Sequence, residues 1–394
     1  MSKLHKSAVI GVIGAGAMGS GIAQLAAQKG HPVVLHDTST EQITRAQLAI
    51  DKNLRRQVEK GQLSETEAKQ VIKRIEFADD LTTYAPCAVI VEAVVEYLKA
   101  KQELFGKLEA VVTKDCILAT NTSSLSVASI ASACKHPERV VGIHFFNPAP
   151  VMPLVEIVPS LLSDEIVVNA SRGLVDSWGK TTVLAKDTPG FIVNRVARPF
   201  YSESIRLLEE GVADIATIDW ALKEIGGFRM GPFELMDFIG NDVNLKVTET
   251  VFESFFYDPR FKPSLTQCRL VEARLLGRKT GRGYYNYSPE AVVPSPVKDK
   301  SLGNQIVERV VAMLINEAAD ALFMNIASVE DLETAMTKGV NYPKGLLRWA
   351  DEIGIKKVLE RLESLYAEYC EDRYRPCPLL RRMAKAGQQF HGGR

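Results

Sequence analysis

The sequence has no Cys-x-x-Cys pair. Its six cysteines stand at 87, 116, 134, 268, 370 and 377, too scattered for a zinc ligand set. No metal site is expected, and the thiols read as unpaired side chains of a reducing, cytoplasmic compartment. No apolar run is long enough for a transmembrane helix, so no membrane span is expected. Charge of one sign is missing too. Lys and Arg number 48 against 48 for Asp and Glu, and a protein that holds nucleic acid by neutralising phosphates usually shows a basic excess. The first residues, MSKLHKSAVIGVIG, enter an apolar run that ends in glycines, which reads as a first strand rather than a secretory signal. What is present is ordinary globular material. The 394 residues are 46% hydrophobic and 24% charged, which excludes disorder as a global description and suggests two or three domains.

The N-terminal half alternates strand and helix. Residues 7–13, Ser-Ala-Val-Ile-Gly-Val-Ile, read as a buried parallel strand. Gly14-Ala-Gly16-Ala-Met18-Gly19 follows, then a helix whose Ile22, Leu25 and Ala26 share one face, with Gly30 as its stop. Pro32–Asp37 gives a second strand ending in an acid. Strand, glycine turn, helix, strand and acid make a dinucleotide-binding unit. Gly14 permits the tight turn, Gly16 lets the backbone approach a pyrophosphate, and Gly19 lets helix and strand pack closely. The helix N-terminus offers unpaired N–H groups to the phosphates. Asp37, 18 residues after Gly19, would accept from ribose hydroxyls and repel a 2′-phosphate, so NAD is expected over NADP.

Ile43, Ala46, Ile50, Leu54 and Val58 step by three or four along an amphipathic helix, Gly61 breaks it, and Ser64-Glu-Thr-Glu67 reads as a capping box opening another. Further strands are expected at 88–93, 116–120 and 140–144, with a helix over 98–113, giving a doubly wound α/β sheet of the Rossmann type. Ligands of such sheets bind past the carboxyl ends of the strands. That points to Glu92–Glu96, Asn121–Ser124 and His144–Pro148.

Those stretches carry a resemblance. Asn121-Thr-Ser-Ser-Leu, Gly142-Ile-His-Phe-Phe-Asn-Pro-Ala-Pro-Val-Met, Leu154-Val-Glu-Ile and Asp187-Thr-Pro-Gly-Phe-Ile-Val-Asn-Arg195 resemble the 3-hydroxyacyl-CoA dehydrogenase family. So do Gly231-Pro-Phe-Glu-Leu-Met-Asp-Phe-Ile-Gly-Asn-Asp and Gly277-Arg-Lys-Thr-Gly-Arg-Gly-Tyr-Tyr, in the family's order over roughly residues 8–287. The resemblance implies NAD as cofactor, an acyl-CoA as substrate, and a catalytic His144–Glu156 pair. It puts Ser123 and Asn194 on the substrate and Glu96 and Lys101 on the nicotinamide side, with Met18 and Asn121 also at the cofactor. Lys60 and Asn53 are the implied coenzyme A contacts. The chemistry agrees: a neutral imidazole suits proton removal from an alcohol, and a carboxylate on its other nitrogen holds the tautomer. The sequence departs from the family at Pro153, where Lys or Arg is common, and at Arg229, where Pro is usual.

Residues 195–240 match 309–354 at a constant shift of 114. Arg195 meets Arg309, Glu203 meets Glu317, Gly231 meets Gly345 and Asp237 meets Asp351. The expected organisation is an NAD-binding domain over 1–189 followed by two all-α domains related by internal duplication. The first spans 190–288 and the second 304–394, joined by a linker at 289–303. Asn194 has Glu308 as its counterpart, so the second copy is read as structural. It would cover the first copy's apolar face, residues 306–323 lying against 196–208, as an internal pseudo-dimer, with a homo-oligomer as the other possibility.

Asn194-Arg-Val-Ala-Arg-Pro-Phe-Tyr-Ser-Glu and Arg373-Tyr-Arg-Pro-Cys-Pro-Leu-Leu-Arg resemble the branch of the family that oxidises 3-hydroxyadipyl-CoA in phenylacetate degradation. The expected reaction is NAD-dependent oxidation of an (S)-3-hydroxyacyl-CoA to the 3-oxoacyl-CoA. A 3-hydroxybutyryl-CoA dehydrogenase and a non-catalytic, crystallin-like NAD-binding protein are the alternatives. Arg229 is the expected partner of an adipyl carboxylate.

Overall fold

The computed structural model describes residues 5–392, which divide at Thr188/Pro189 into two compact units. The first is built on an eight-stranded sheet. Its elements run β1 (Val9–Ile13), α1 (Ala17–Gln28), β2 (Val33–His36), α2 (Thr40–Glu59), α3 (Glu65–Lys73), β3 (Ile75–Phe77), β4 (Cys87–Glu92), α4 (Leu98–Val111), β5 (Ile117–Thr120), α5 (Val127–Ala131), β6 (Val140–Phe145), β7 (Leu154–Pro159), α6 (Glu165–Ser177) and β8 (Thr181–Leu184). The strand order is β3-β2-β1-β4-β5-β6-β7-β8.

The expected strands and the 98–113 helix are present, with ends moved by a residue or two. The capping box forms as read: Ser64 accepts from the Glu67 amide and Glu67 accepts from the Ser64 amide. β3 was not expected, because its run, Ile-Glu-Phe, is too short to show a period. Nor was β8. Ile10, Val12, Val89, Val91, Ile117 and Ala119 are at most 1% exposed and form the middle of the core beneath α1.

The sheet is of the expected doubly wound type, with one reversal. It is not wholly parallel, because β7 runs antiparallel to β6. The connection between them is only the segment 146–153, too short for a helical crossover, and a short connection favours an antiparallel neighbour.

The second unit is all helical: α7 (Val193–Val196), α8 (Arg198–Glu209), α9 (Ile215–Trp220), α10 (Pro232–Ile239), α11 (Asn241–Ser254), α12 (Leu265–Glu272), α13 (Lys300–Phe323), α14 (Val329–Gly339), α15 (Leu346–Ile353), α16 (Ile355–Tyr369) and α17 (Pro378–Ala386). Its two halves lie within one compact unit. α13 begins at Lys300, four residues before the expected start of the second copy, because the Asp299 carboxylate accepts from the Ser301 and Leu302 amides and caps it. The long α13 packs against α8, which buries Val310, Leu314 and Ala318.

The contacts between the halves exchange under the 114-residue shift. Arg195 Nε donates to Glu317 at 2.6 Å, and Arg309 Nε donates to Glu203 at 2.5 Å. These four side chains are all at most 5% exposed. Within the halves the same devices recur. Asp219 accepts from the amides of Phe233 and Glu234 at the start of α10, and Glu333 accepts from Leu347 at the start of α15. Asp237 accepts from the Tyr284 and Tyr285 amides, as Asp351 does from Phe390 and His391. Gly240 and Gly354 both carry positive φ, at 106° and 95°, where a side chain would be strained.

Desolvating four charges is costly, so such pairs specify register more than they stabilise. Removing one member leaves a buried charge exposed to nothing. Glu203→Leu should lower unfolding free energy by about 3–5 kcal/mol, measured by denaturant titration. The double variant Glu203→Leu/Arg309→Met should recover most of that loss. A single variant within 1 kcal/mol (about the size of a surface change) of the parent would overturn the assignment.

Candidate active site

The carboxyl ends of β1, β4, β5 and β6 face one edge of the sheet, since these strands run parallel. The glycine turn follows β1. Gly14 has φ 97°, and a Cβ there would meet Ala93 O at 2.4 Å. A Cβ on Gly19 would meet Gly14 O at 1.7 Å. Gly16 is different: a Cβ would project into open space. It borders a cleft of about 630 Å³ lined by Gly14, Met18, Asp37, Leu81 and Val94. α1 has no side-chain cap at Gly16 and no acidic residue in its first turn, so its N–H groups and positive dipole end are left for an anion. Asp37 is half-buried at the end of β2, held by the Ala15 amide at 2.8 Å and the Ser39 amide at 2.9 Å. A glycine turn, an uncapped helix end and a carboxylate together fit NAD.

Two carboxylates shape the neighbouring loops. Glu92, 0% exposed at the end of β4, accepts from Lys101 Nζ (2.6 Å), Thr120 Oγ1 (2.7 Å) and the Val94 amide (2.8 Å). Lys101 is equally buried and also reaches Glu96 at 3.1 Å. Glu96 accepts from Thr122 Oγ1, the Ser123 amide and Ser124 Oγ. Burial alone would raise its pKa, but the Lys101 charge and these hydrogen bonds outweigh it and hold the group below its ordinary value. Lys101, expected at the nicotinamide, is thus engaged with two carboxylates, and Glu96 ties β4 to the loop bearing Ser123.

His144 lies directly opposite Glu156 in the β6–β7 ladder. Its Nδ1 is 2.6 Å from Glu156 Oε2, and Glu156 is 0% exposed. With Nδ1 carrying the proton toward the carboxylate, Nε2 keeps a lone pair for a substrate proton. Asn121 Oδ1 accepts from the Phe145 amide at 2.8 Å, so the Asn121 side chain fastens the Ser123 loop to the His144 strand. Ser123 is half-buried.

Asn194 stands in the helical unit, half-buried in α7. Asn53 and Lys60 are exposed on α2 and at its C-terminal end.

Three supporting residues had no supporting role assigned from the sequence. Lys180 Nζ, from the start of β8, donates to the carbonyls of Ala149, Pro150 and Met152. It holds the loop that follows His144, and burial pushes its pKa down to about 8. Asp187 accepts from the Val127 and Ala128 amides and caps α5 after the Ser123 loop. Glu92 is the third. Only the oddity of a charge within or beside a β-branched run marked Glu92 and Lys180.

A glycine-turn dinucleotide cleft on the same sheet edge as a carboxylate-oriented histidine defines an NAD-dependent oxidoreductase. The family model for the NAD binding domain of 3-hydroxyacyl-CoA dehydrogenase matches residues 9–188, and that for its C-terminal domain matches 190–287 and 305–390. The chain belongs to the 3-hydroxyacyl-CoA dehydrogenase family. It is 40% identical to the 3-hydroxyadipyl-CoA dehydrogenase of Escherichia coli K12 across 95% of this chain and 97% of that one. It is 40% identical to the 3-hydroxybutyryl-CoA dehydrogenase of Bradyrhizobium diazoefficiens across 73% of this chain and 97% of that one. The crystal structure of 3-hydroxybutyryl-CoA dehydrogenase from E. coli K12 superposes with a TM-score of 0.91 at 39% identity, covering 97% of this chain and 99% of that one.

Asp37→Ala removes a ribose acceptor and a charge that repels a 2′-phosphate. It should raise KM for NAD about tenfold, the worth of one hydrogen bond to a charged group, and shrink the NAD-over-NADP preference. Steady-state kinetics with both cofactors is the check. Equal use of NAD and NADP by the unaltered protein would overturn this reading of Asp37.

Proposed function

We propose that this chain oxidises (S)-3-hydroxyacyl-CoA esters to 3-oxoacyl-CoA esters with NAD, and that its substrate is 3-hydroxyadipyl-CoA. The observation that carries the reaction is the His144–Glu156 pair on an NAD-type sheet. NAD, when bound, would supply the hydride acceptor for C3. His144 Nε2 takes the hydroxyl proton, and the Glu156 carboxylate stabilises the imidazolium that results. Ser123 and Asn194 are proposed to hydrogen-bond the substrate oxygens as charge develops. Lys60 and Asn53 would meet the coenzyme A moiety from α2.

The adipyl preference rests on likeness along the whole chain, helical second half included, to the E. coli 3-hydroxyadipyl-CoA dehydrogenase. The second reading, a 3-hydroxybutyryl substrate, is favoured by the solved structure of that name, which also spans both halves. We infer that the two helical halves act as an internal pseudo-dimer, supported by the reciprocal Arg195–Glu317 and Arg309–Glu203 pairs. A cytoplasmic setting suits its six unpaired thiols.

His144→Gln should lower kcat by about 10²–10⁴-fold, the usual worth of a general base. NADH affinity, read by fluorescence titration, should stay within twofold (about 0.4 kcal/mol). Retention of a tenth of the activity would remove His144 from the mechanism. A kcat/KM series on the 3-hydroxybutyryl, 3-hydroxyhexanoyl and 3-hydroxyadipyl esters separates the two substrate readings.

A further inference from the structure

Five arginines of the described residues are buried: Arg139, Arg195, Arg198, Arg309 and Arg373. Four have a carboxylate within 4 Å. Arg198 has none among the described residues. It is the first residue of α8 and 5% exposed. Its Nη1 donates to Thr248 Oγ1 at 3.2 Å, its guanidinium lies 4.9 Å from the centre of the Tyr201 ring, and its Nε has no partner. The Tyr342 hydroxyl is also buried and also has no partner. Its ring packs on Phe200 and Phe228, at 5.7 and 5.0 Å between ring centres.

A guanidinium withdrawn from water without an anion is costly and unneeded for packing. The fold itself does not require one here. At the 114-residue shift Arg198 corresponds to Ala312, buried at 4% in α13, whereas Arg195 corresponds to Arg309. The shared frame therefore keeps the structural arginine and dispenses with this one. Four residues earlier the halves differ again, where Asn194 corresponds to Glu308. Both differences fall in the half to which the substrate contact is assigned.

We propose that Arg198 is the specificity residue of this site, binding the terminal carboxylate of a dicarboxylyl-CoA substrate, with the Tyr342 hydroxyl as a second donor. The inference rests on the dehydrogenase reading above and adds what selects the acyl chain. Asn194, in α7, and Arg198, which opens α8, are four residues apart, with Ala197 between the two helices. In a 3-hydroxyadipyl chain three carbon–carbon bonds separate C3 from the carboxylate carbon. A chain of that length spans positions a few residues apart, as Asn194 and Arg198 are. Arg229, the position expected from sequence to take this charge, is exposed. There water screens a pairing, and it would discriminate weakly.

The test compares the full-length parent with Arg198→Met. The parent should favour 3-hydroxyadipyl-CoA over 3-hydroxyhexanoyl-CoA in kcat/KM. Arg198→Met should lose about a hundredfold on the adipyl ester, as expected when one partner of a buried charge pair is removed, and change less than about fivefold on the hexanoyl ester. Binding of the non-reacting esters, followed by calorimetry, should invert from adipyl-CoA to hexanoyl-CoA. Stability should hold or rise, because an unpaired buried charge is replaced by an apolar chain of similar length. Equal losses on both esters, a falling melting temperature or failure to fold would make Arg198 structural and overturn the proposal. A parent that prefers the hexanoyl ester overturns it as well. A parent inactive on every 3-hydroxyacyl-CoA instead overturns the reaction reading itself.

Discussion

The register between β6 and β7 governs the chemistry. His144 and Glu156 are twelve residues apart in the chain and sit across from one another because the two strands run antiparallel. Side chains alternate faces along a strand, so a slip of one residue would turn Glu156 away and leave the imidazole without its carboxylate. The neighbouring strands and loops defend that register. Val158 faces Gly142, where a Cβ would come within 2.8 Å of it. Lys180 gathers three carbonyls of the connecting loop, and Asn121 holds the Phe145 amide.

Buried charge is used in two ways in the helical unit. Arg195 with Glu317 and Arg309 with Glu203 are complete pairs, whose mutual attraction offsets much of their desolvation. Their value lies in excluding other alignments of two similar halves, since a shifted packing would strand all four charges. Arg198 is an incomplete pair, and its missing half has the chemistry of a carboxylate. Unpaired burial of this kind tends to collect where a ligand completes the structure.

Local motifs were legible because their physics is local. Gly14, Gly16 and Gly19 are demanded by a turn of six residues, and Ser64–Glu67 closes its box within one turn. Asp37 could be placed because it ends the next strand. Glu156 was legible only through the family resemblance, since a lone glutamate in Leu154-Val-Glu-Ile has no periodicity that marks it. Glu92 was read only as a strand end and Asp187 only as part of a family stretch, and Lys180 was not read. Their partners lie on other elements, and nothing within a short window records them.

The sequence by itself determined the nucleotide half, from the alternation of β-branched runs with helical spacing, and it disclosed the relation between the helical halves through a constant shift of 114. Only the tertiary structure decided that β7 reverses direction, that the two halves lie within one compact unit, and that one buried arginine lacks a carboxylate. Periodicity reports which face of an element is apolar. It is silent on strand direction and on the partner of a charge, because both are settled by contacts between residues far apart in the chain.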